Sequence, residues 1–177
     1  MRCWPASAQA LDLAKAGQAD DARAALARAR DATEFVEQAC DELAGPFTCS
    51  VERAGGLWSD VYLALGQPVN ALTEADHAVA AFEWASTEQR NPGSERMARV
   101  QQVRAHLTLG QFDGAVEALS PVLDTAAEHR VRPLLQRLAE VRRQAMARGP
   151  QNEPTLRGLR EAITDFRRQA VVAELST

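Results

Sequence analysis

Aromatic side chains are scarce in this 177-residue chain: they make up only 5% of it, with a single tyrosine. A core with so few rings has to be built from Ala, Leu and Val. That composition favours helices, because Ala and Leu cost least in the helical conformation. Lysine is nearly missing as well. Of the 20 basic residues only Lys15 is lysine, a bias of composition that weakens any argument from arginine richness to nucleic acid. Cysteine is limited to Cys3, Cys40 and Cys49. The number is odd and the spacing fits no zinc or redox motif, so the expectation is free thiols in a reducing, cytoplasmic setting. No uncharged apolar run reaches the ~18 residues that a membrane span needs. Asp12 and Lys15 interrupt any apolar signal core near the N-terminus, so secretion is not expected. No segment alternates apolar and polar residues between turn pairs, and the expectation is a fold without sheet.

What is present is ordinary for a soluble domain: 46% hydrophobic and 25% charged residues, in a chain long enough to bury a core. The net charge of −4 is unevenly spread. Residues 1–127 carry 10 basic and 18 acidic side chains, and residues 128–177 carry 10 and 6. A basic C-terminal face could meet phosphate or an acidic partner. The plainer alternative is that these arginines form the solvated faces of two amphipathic helices.

Apolar spacing places helices over residues 6–16, about 20–43 with a break near Asp31–Thr33, 50–65, 69–84, from an N-cap at Ser94 to Gly110, and 112–124 with a kink at Pro121. Two more follow, one carrying Val131, Leu134, Leu135, Leu138 and Val141, the other Leu156, Leu159, Ile163, Phe166 and Val171. Ala44-Gly45-Pro46 and Gly149-Pro150 read as stops.

Three turns read alike: Gly17-Gln18, Gly66-Gln67 and Gly110-Gln111. Five residues after each Gly stands an alanine, Ala22, Ala71 or Ala115, and seven further on a compact residue, Ala29, Ala78 or Val122. Seven residues before each Gly stand Ala10, Ser59 and Val103; four before stand Leu13, Tyr62 and His106. Compact residues where helices cross let backbones approach, and a bulkier neighbour fills the groove. The pattern is similar to helix–turn–helix hairpins of tetratricopeptide type. The glycines are 49 and 44 residues apart, against ~34 in that family, so longer helices or linkers absorb the difference. The fold expected is therefore an all-α, right-handed tetratricopeptide-like solenoid. It would form one domain over residues 1–177, with hairpins at about 4–43, 50–85, 94–124 and 129–175, the last acting as a terminal cap.

A further resemblance lies in the strings Glu42-Leu43-Ala44-Gly45-Pro46-Phe47-Thr48-Cys49, Arg90-Asn91-Pro92-Gly93-Ser94-Glu95-Arg96-Met97, Glu128-His129-Arg130-Val131-Arg132-Pro133-Leu134 and Ile163-Thr164-Asp165-Phe166-Arg167-Arg168. They resemble the C-terminal region of actinobacterial helix-turn-helix transcriptional regulators of the XRE type, whose C-terminal half is tetratricopeptide-like. The resemblance implies a sensor or interaction module. Its DNA-binding head would precede this region, so the resemblance leads us to expect either a fragment or truncated form or a protein that works without its own DNA reader.

No catalytic set, metal site or cofactor motif emerges, and an enzyme is not expected. His77 and His106 fall on different hairpins, and His129 lies in a polar turn. His106 stands at a groove-filling position and reads as a packed histidine. Cys40 and Cys49 read as small apolar groups. Gly55-Gly56 lacks the Gly-Lys that a phosphate loop requires, and Asp20-Asp21 suits a helix N-terminus. Arg137, Arg142, Arg143, Arg148, Arg157, Arg160, Arg167 and Arg168 could touch phosphate, yet no recognition-helix pattern accompanies them. DNA is thus expected only indirectly, through a missing or separate domain. The expected function is recognition of a protein or peptide on a concave face lined by first helices, with Arg53, Asp60, Met97, Gln101 and Arg104 as the contact residues. A stand-alone scaffold or self-associating module, with no regulatory role, is the alternative.

Overall fold

The computed structural model describes residues 3–38, 51–85, 91–148 and 153–175, with side chains over 5–33, 54–85, 91–148 and 153–170. Cys40, Cys49, Ala44-Gly45-Pro46 and Gly149-Pro150 lie outside the described residues, as do the side chains of Arg53 and Val171. Among the described residues there are eight α-helices, one 3-10 turn and no strand, so the fold is all-α as expected. The chain divides into two compact units, Met1–Gln101 and Gln102–Thr177.

The first unit holds α1 (Cys3–Lys15), α2 (Ala19–Gln38), α3 (Val51–Ala64), α4 (Pro68–Trp84) and the start of α5 (Pro92–Leu109). The expected break at Asp31–Thr33 is absent, and α2 runs through it. Thr33 Oγ1 donates back to the Arg30 carbonyl at 2.6 Å, an arrangement a helix accommodates. At α5 the cap is Asn91, not Ser94. Its Oδ1 accepts the Ser94 backbone N–H at 3.1 Å, and Pro92 takes the first helical position, where a missing N–H costs nothing.

Ala10, Ala14, Ala22, Ala25, Leu26, Ala32 and Ala54 are buried around Trp58 and Val61. Among so many alanines Trp58 is the largest side chain, and its indole N–H donates to Ser7 Oγ at 3.1 Å. A second cluster joins Val79 and Phe82 of α4 to Ala98 of α5.

The repeated signature has one physical cause. Gly17, Gly66 and Gly110 hold φ of 78°, 71° and 74°, the left-handed region that side chains disfavour. Each glycine N–H bonds three residues back, to the carbonyls of Ala14, Leu63 and Leu107. Each following Gln N–H bonds five back, to Leu13, Tyr62 and His106 at 2.9, 2.8 and 2.9 Å. That pair of bonds is the Schellman ending. The Gln carbonyl then accepts the first bond of the next helix from Ala22, Ala71 or Ala115. These alanines, and Ala10, Ser59 and Val103 upstream, are fully buried. The α3 and α4 backbones approach closely at Gly55, where a Cβ would lie 3.0 Å from both the Ala78 Cβ and the Glu74 carbonyl.

The second unit holds the rest of α5, then α6 (Phe112–Leu123), the 3-10 turn Ala127–His129, α7 (Arg132–Ala147) and α8 (Pro154–Leu175). Pro121 stands in the last turn of α6, which runs on to Leu123. Leu134, Leu138 and Val141 of α7 and Leu156, Leu159, Ile163 and Phe166 of α8 are buried, as their spacing predicts, whereas Val131 is exposed ahead of α7, at its N-cap, and Leu135 is half-buried. Arg130 closes the turn against α8. It donates to the carbonyls of Thr125 at 2.9 Å and Phe166 at 3.2 Å, and its guanidinium lies 4.1 Å from the Phe166 ring centre.

Candidate interaction surfaces

The five residues chosen from sequence fall in different surroundings. Asp60 and Gln101 are 5% and 3% exposed. Gln101 Nε2 donates to Asp60 Oδ2 at 2.8 Å, linking α3 to α5 within the first unit. A hydrogen bond between two buried polar side chains ties the helix pair together, because polar groups taken out of water need such partners. Met97 is half-buried on α5, and Arg53 lies on α3. Arg104, also half-buried, belongs to the second unit, where its backbone carbonyl accepts Gln144 Nε2 at 2.9 Å.

The first unit carries one polar–aromatic cluster that the sequence did not reveal. Arg30 of α2 places its guanidinium 5.0 Å from the Trp58 ring centre and 5.8 Å from that of Tyr62. Its Nη2 donates to the Tyr62 hydroxyl at 3.3 Å and pairs with Glu74 Oε1 of α4. One cation thereby ties α2, α3 and α4 together. Arg99 does similar work between α4 and α5, bonding Glu83 at 2.6 Å and Glu95 at 3.1 Å.

His106 packs against Gly114, whose missing Cβ leaves room for the ring, and its Nδ1 lies 2.9 Å from Gln111 Oε1. His77 is exposed on α4 and His129 exposed in the 3-10 turn. Among the described residues no group of three or more His, Cys, Asp or Glu side chains could hold a metal ion. None of their helices is long and apolar enough to cross a membrane.

The second unit carries an open cleft of about 570 Å³ at the side of α7 and α8. Arg142 and Met146 line it from α7. Arg157, Arg160, Glu161, Thr164, Asp165 and Arg168 line it from α8. Four of the eight arginines singled out from sequence thus converge on one place. Arg168 pairs with Asp165 at 3.1 Å, both side chains remaining more than half exposed, while Arg142 and Arg157 form no ion pair among the described residues. Beside it, Glu153 caps α8. Its Oε2 accepts the Leu156 N–H at 2.5 Å, and that bond, helped by Thr155 and the nearby Arg160 charge, holds its carboxyl below the usual carboxylate range.

In comparisons with known proteins, no family model, no curated protein and no solved structure matches this chain.

Proposed function

We propose that the chain is a tetratricopeptide-like hairpin stack that recognises a protein or peptide, as the regulatory part of a helix-turn-helix transcription regulator acting in the cytoplasm. The observation that carries this reading is the threefold hairpin geometry: the same left-handed glycine, the same pair of backbone bonds and the same buried compact residues recur at residues 17, 66 and 110. Repeats of this kind bury their small-residue faces against one another and leave extended surfaces for partners. The strings at 90–97, 128–134 and 163–168, which resemble XRE-type regulators, support the transcriptional setting. In this reading Met97 contacts the partner from the first unit, on an α5 tied to α3 by the Asp60–Gln101 pair, and Arg104 contacts it from the second unit. Binding would favour one hairpin packing or association state over another and so bias a separate DNA-binding unit.

Affinity capture from actinobacterial cells, with mass spectrometry, tests it. The expected result is a partner carrying a helix-turn-helix domain, recovered in stoichiometric amount and lost when Met97→Asp and Arg104→Glu are combined. Capture that survives both substitutions overturns the assigned surface. If light scattering detects only self-association and no partner is retained, the scaffold alternative takes its place.

A further inference from the structure

The cleft beside α7 and α8 has a charge pattern that selects among ligands. Arg157, Arg160, Arg168, Glu161 and Asp165 recur at three- and four-residue spacing along one side of α8, the spacing of a single helix face. From Arg157 to Arg168 this row is about 16 Å long at the α-helical rise. Arg142 adds a guanidinium from α7, and Met146, 53% exposed, adds an apolar contact. Arginine suits carboxylate recognition because its planar fork can donate two parallel bonds. A compact polyanion or a nucleic-acid backbone would meet Glu161 and Asp165 in the middle of the row and be repelled. An extended ligand with anionic groups at its ends and a neutral centre would not. About five residues of extended peptide cover the row at ~3.3 Å each.

We infer that this cleft binds an acidic peptide segment, its terminal carboxylates on Arg157 and Arg160 at one end and on Arg168 at the other, with Arg142 and Met146 adding a charged and an apolar contact from α7. This rests on the reading of the chain as a peptide-recognition module and adds a separate peptide site on its last hairpin. The exposed Arg168–Asp165 pair is weak enough to open for a ligand.

Fluorescence anisotropy on the full chain tests the assignment, using a short labelled peptide with paired glutamates on either side of a central leucine. Saturable binding is expected that weakens steeply with added salt. A loss of about tenfold or more is expected in Arg157→Glu and again in Arg168→Glu, the value of one charge-assisted contact. Circular dichroism verifies that each variant is folded, and a lysine-for-glutamate peptide should bind neither wild type nor a neutral Arg157→Gln variant. Equal affinity for wild type and both charge-reversed variants overturns the proposal. So does binding of inorganic pyrophosphate or a single-stranded oligonucleotide in place of the peptide. If Arg157→Glu leaves both peptide binding and capture of a cellular partner intact while Met97→Asp with Arg104→Glu removes capture, the cleft assignment falls and the module reading stands. Peptide binding lost in Arg157→Glu, with no cellular partner captured at all, retains the cleft and removes the regulatory reading.

Discussion

Between α3 and α4 the buried contact residues are small: Gly55, Ser59, Ala71, Ala75 and Ala78. In the α7–α8 hairpin they are large: Leu134, Leu138 and Val141 against Leu156, Leu159, Ile163 and Phe166. Small residues let two helix backbones close on each other, so the turn between them must be tight and a left-handed glycine ends the first helix. Large residues hold the axes apart, and helix separation follows the side chains at the contact. The wider hairpin has the cleft at its side. Loss of the Gly–Gln signature in the last hairpin is therefore more than divergence, because it accompanies a different packing and a different surface.

If that contrast is right, the last hairpin cannot afford to lose volume and the earlier ones cannot gain it. The largest effect is expected for Leu138→Ala. Leu138 is fully buried, and truncation should cost about 2–5 kcal/mol through lost transfer energy and the cavity left behind. Thermal unfolding would report this as a fall of roughly 2–4 °C per kcal/mol for a chain of this size. A drop within error of wild type would mean that the last hairpin is not held by its large residues. Next comes Gly55→Val. Even a Cβ there meets the Ala78 Cβ and the Glu74 carbonyl at 3.0 Å, so overpacking should cost about 1–3 kcal/mol. Urea denaturation with an unchanged slope and a lowered midpoint is the expected outcome.

Glycine sharpens the contrast further, since it serves opposite ends in the two regions. Gly66→Ala keeps open space around the new methyl but forces alanine to φ 71°, at a cost of about 1–2 kcal/mol. Gly158 lies in α8 with nothing within 4 Å and no positive φ. Gly158→Ala should therefore stabilise, by about 0.4–1 kcal/mol, through a less flexible unfolded chain and better helix propensity. Equal signs for the two substitutions would dissolve the distinction between turn glycines and helix glycines.

These residues also mark how far the sequence could be read. Gly17, Gly66 and Gly110 were legible because only one residue type tolerates the required φ, and repetition exposed the requirement. The stripe Leu134, Leu138 and Val141 was legible from its period. Asn91 was not legible as the cap because Ser94 offers an equally good one a turn later, and only the backbone geometry separates them. Asp60 and Gln101 are 41 residues apart, so their mutual bond had no local signal. Arg30 over Trp58 and Tyr62, and Arg130 on Phe166, are likewise tertiary. The α8 arginines were named individually, but their convergence with Arg142 depends on how α7 lies beside α8, which spacing within one helix does not encode.

The smallest effect concerns the start of α8, where a carboxylate does the capping. Glu153 accepts the Leu156 N–H, and this bond holds its carboxyl below the ordinary value of 4.5. The folded state therefore binds the proton less readily than the unfolded chain does. Its contribution to stability is fully present above the unfolded value and is lost as pH falls through the lower, folded value. In Glu153→Gln the side chain can still accept the N–H but no longer titrates. Melting curves of wild type and Glu153→Gln should run parallel near neutral pH, offset by a small constant. Below about pH 5 the wild type should fall toward the variant, since protonation removes only the charged cap. Curves that stay parallel into the acid range would mean that the carboxylate does not hold α8, and that the last hairpin begins, like the others, on backbone geometry alone.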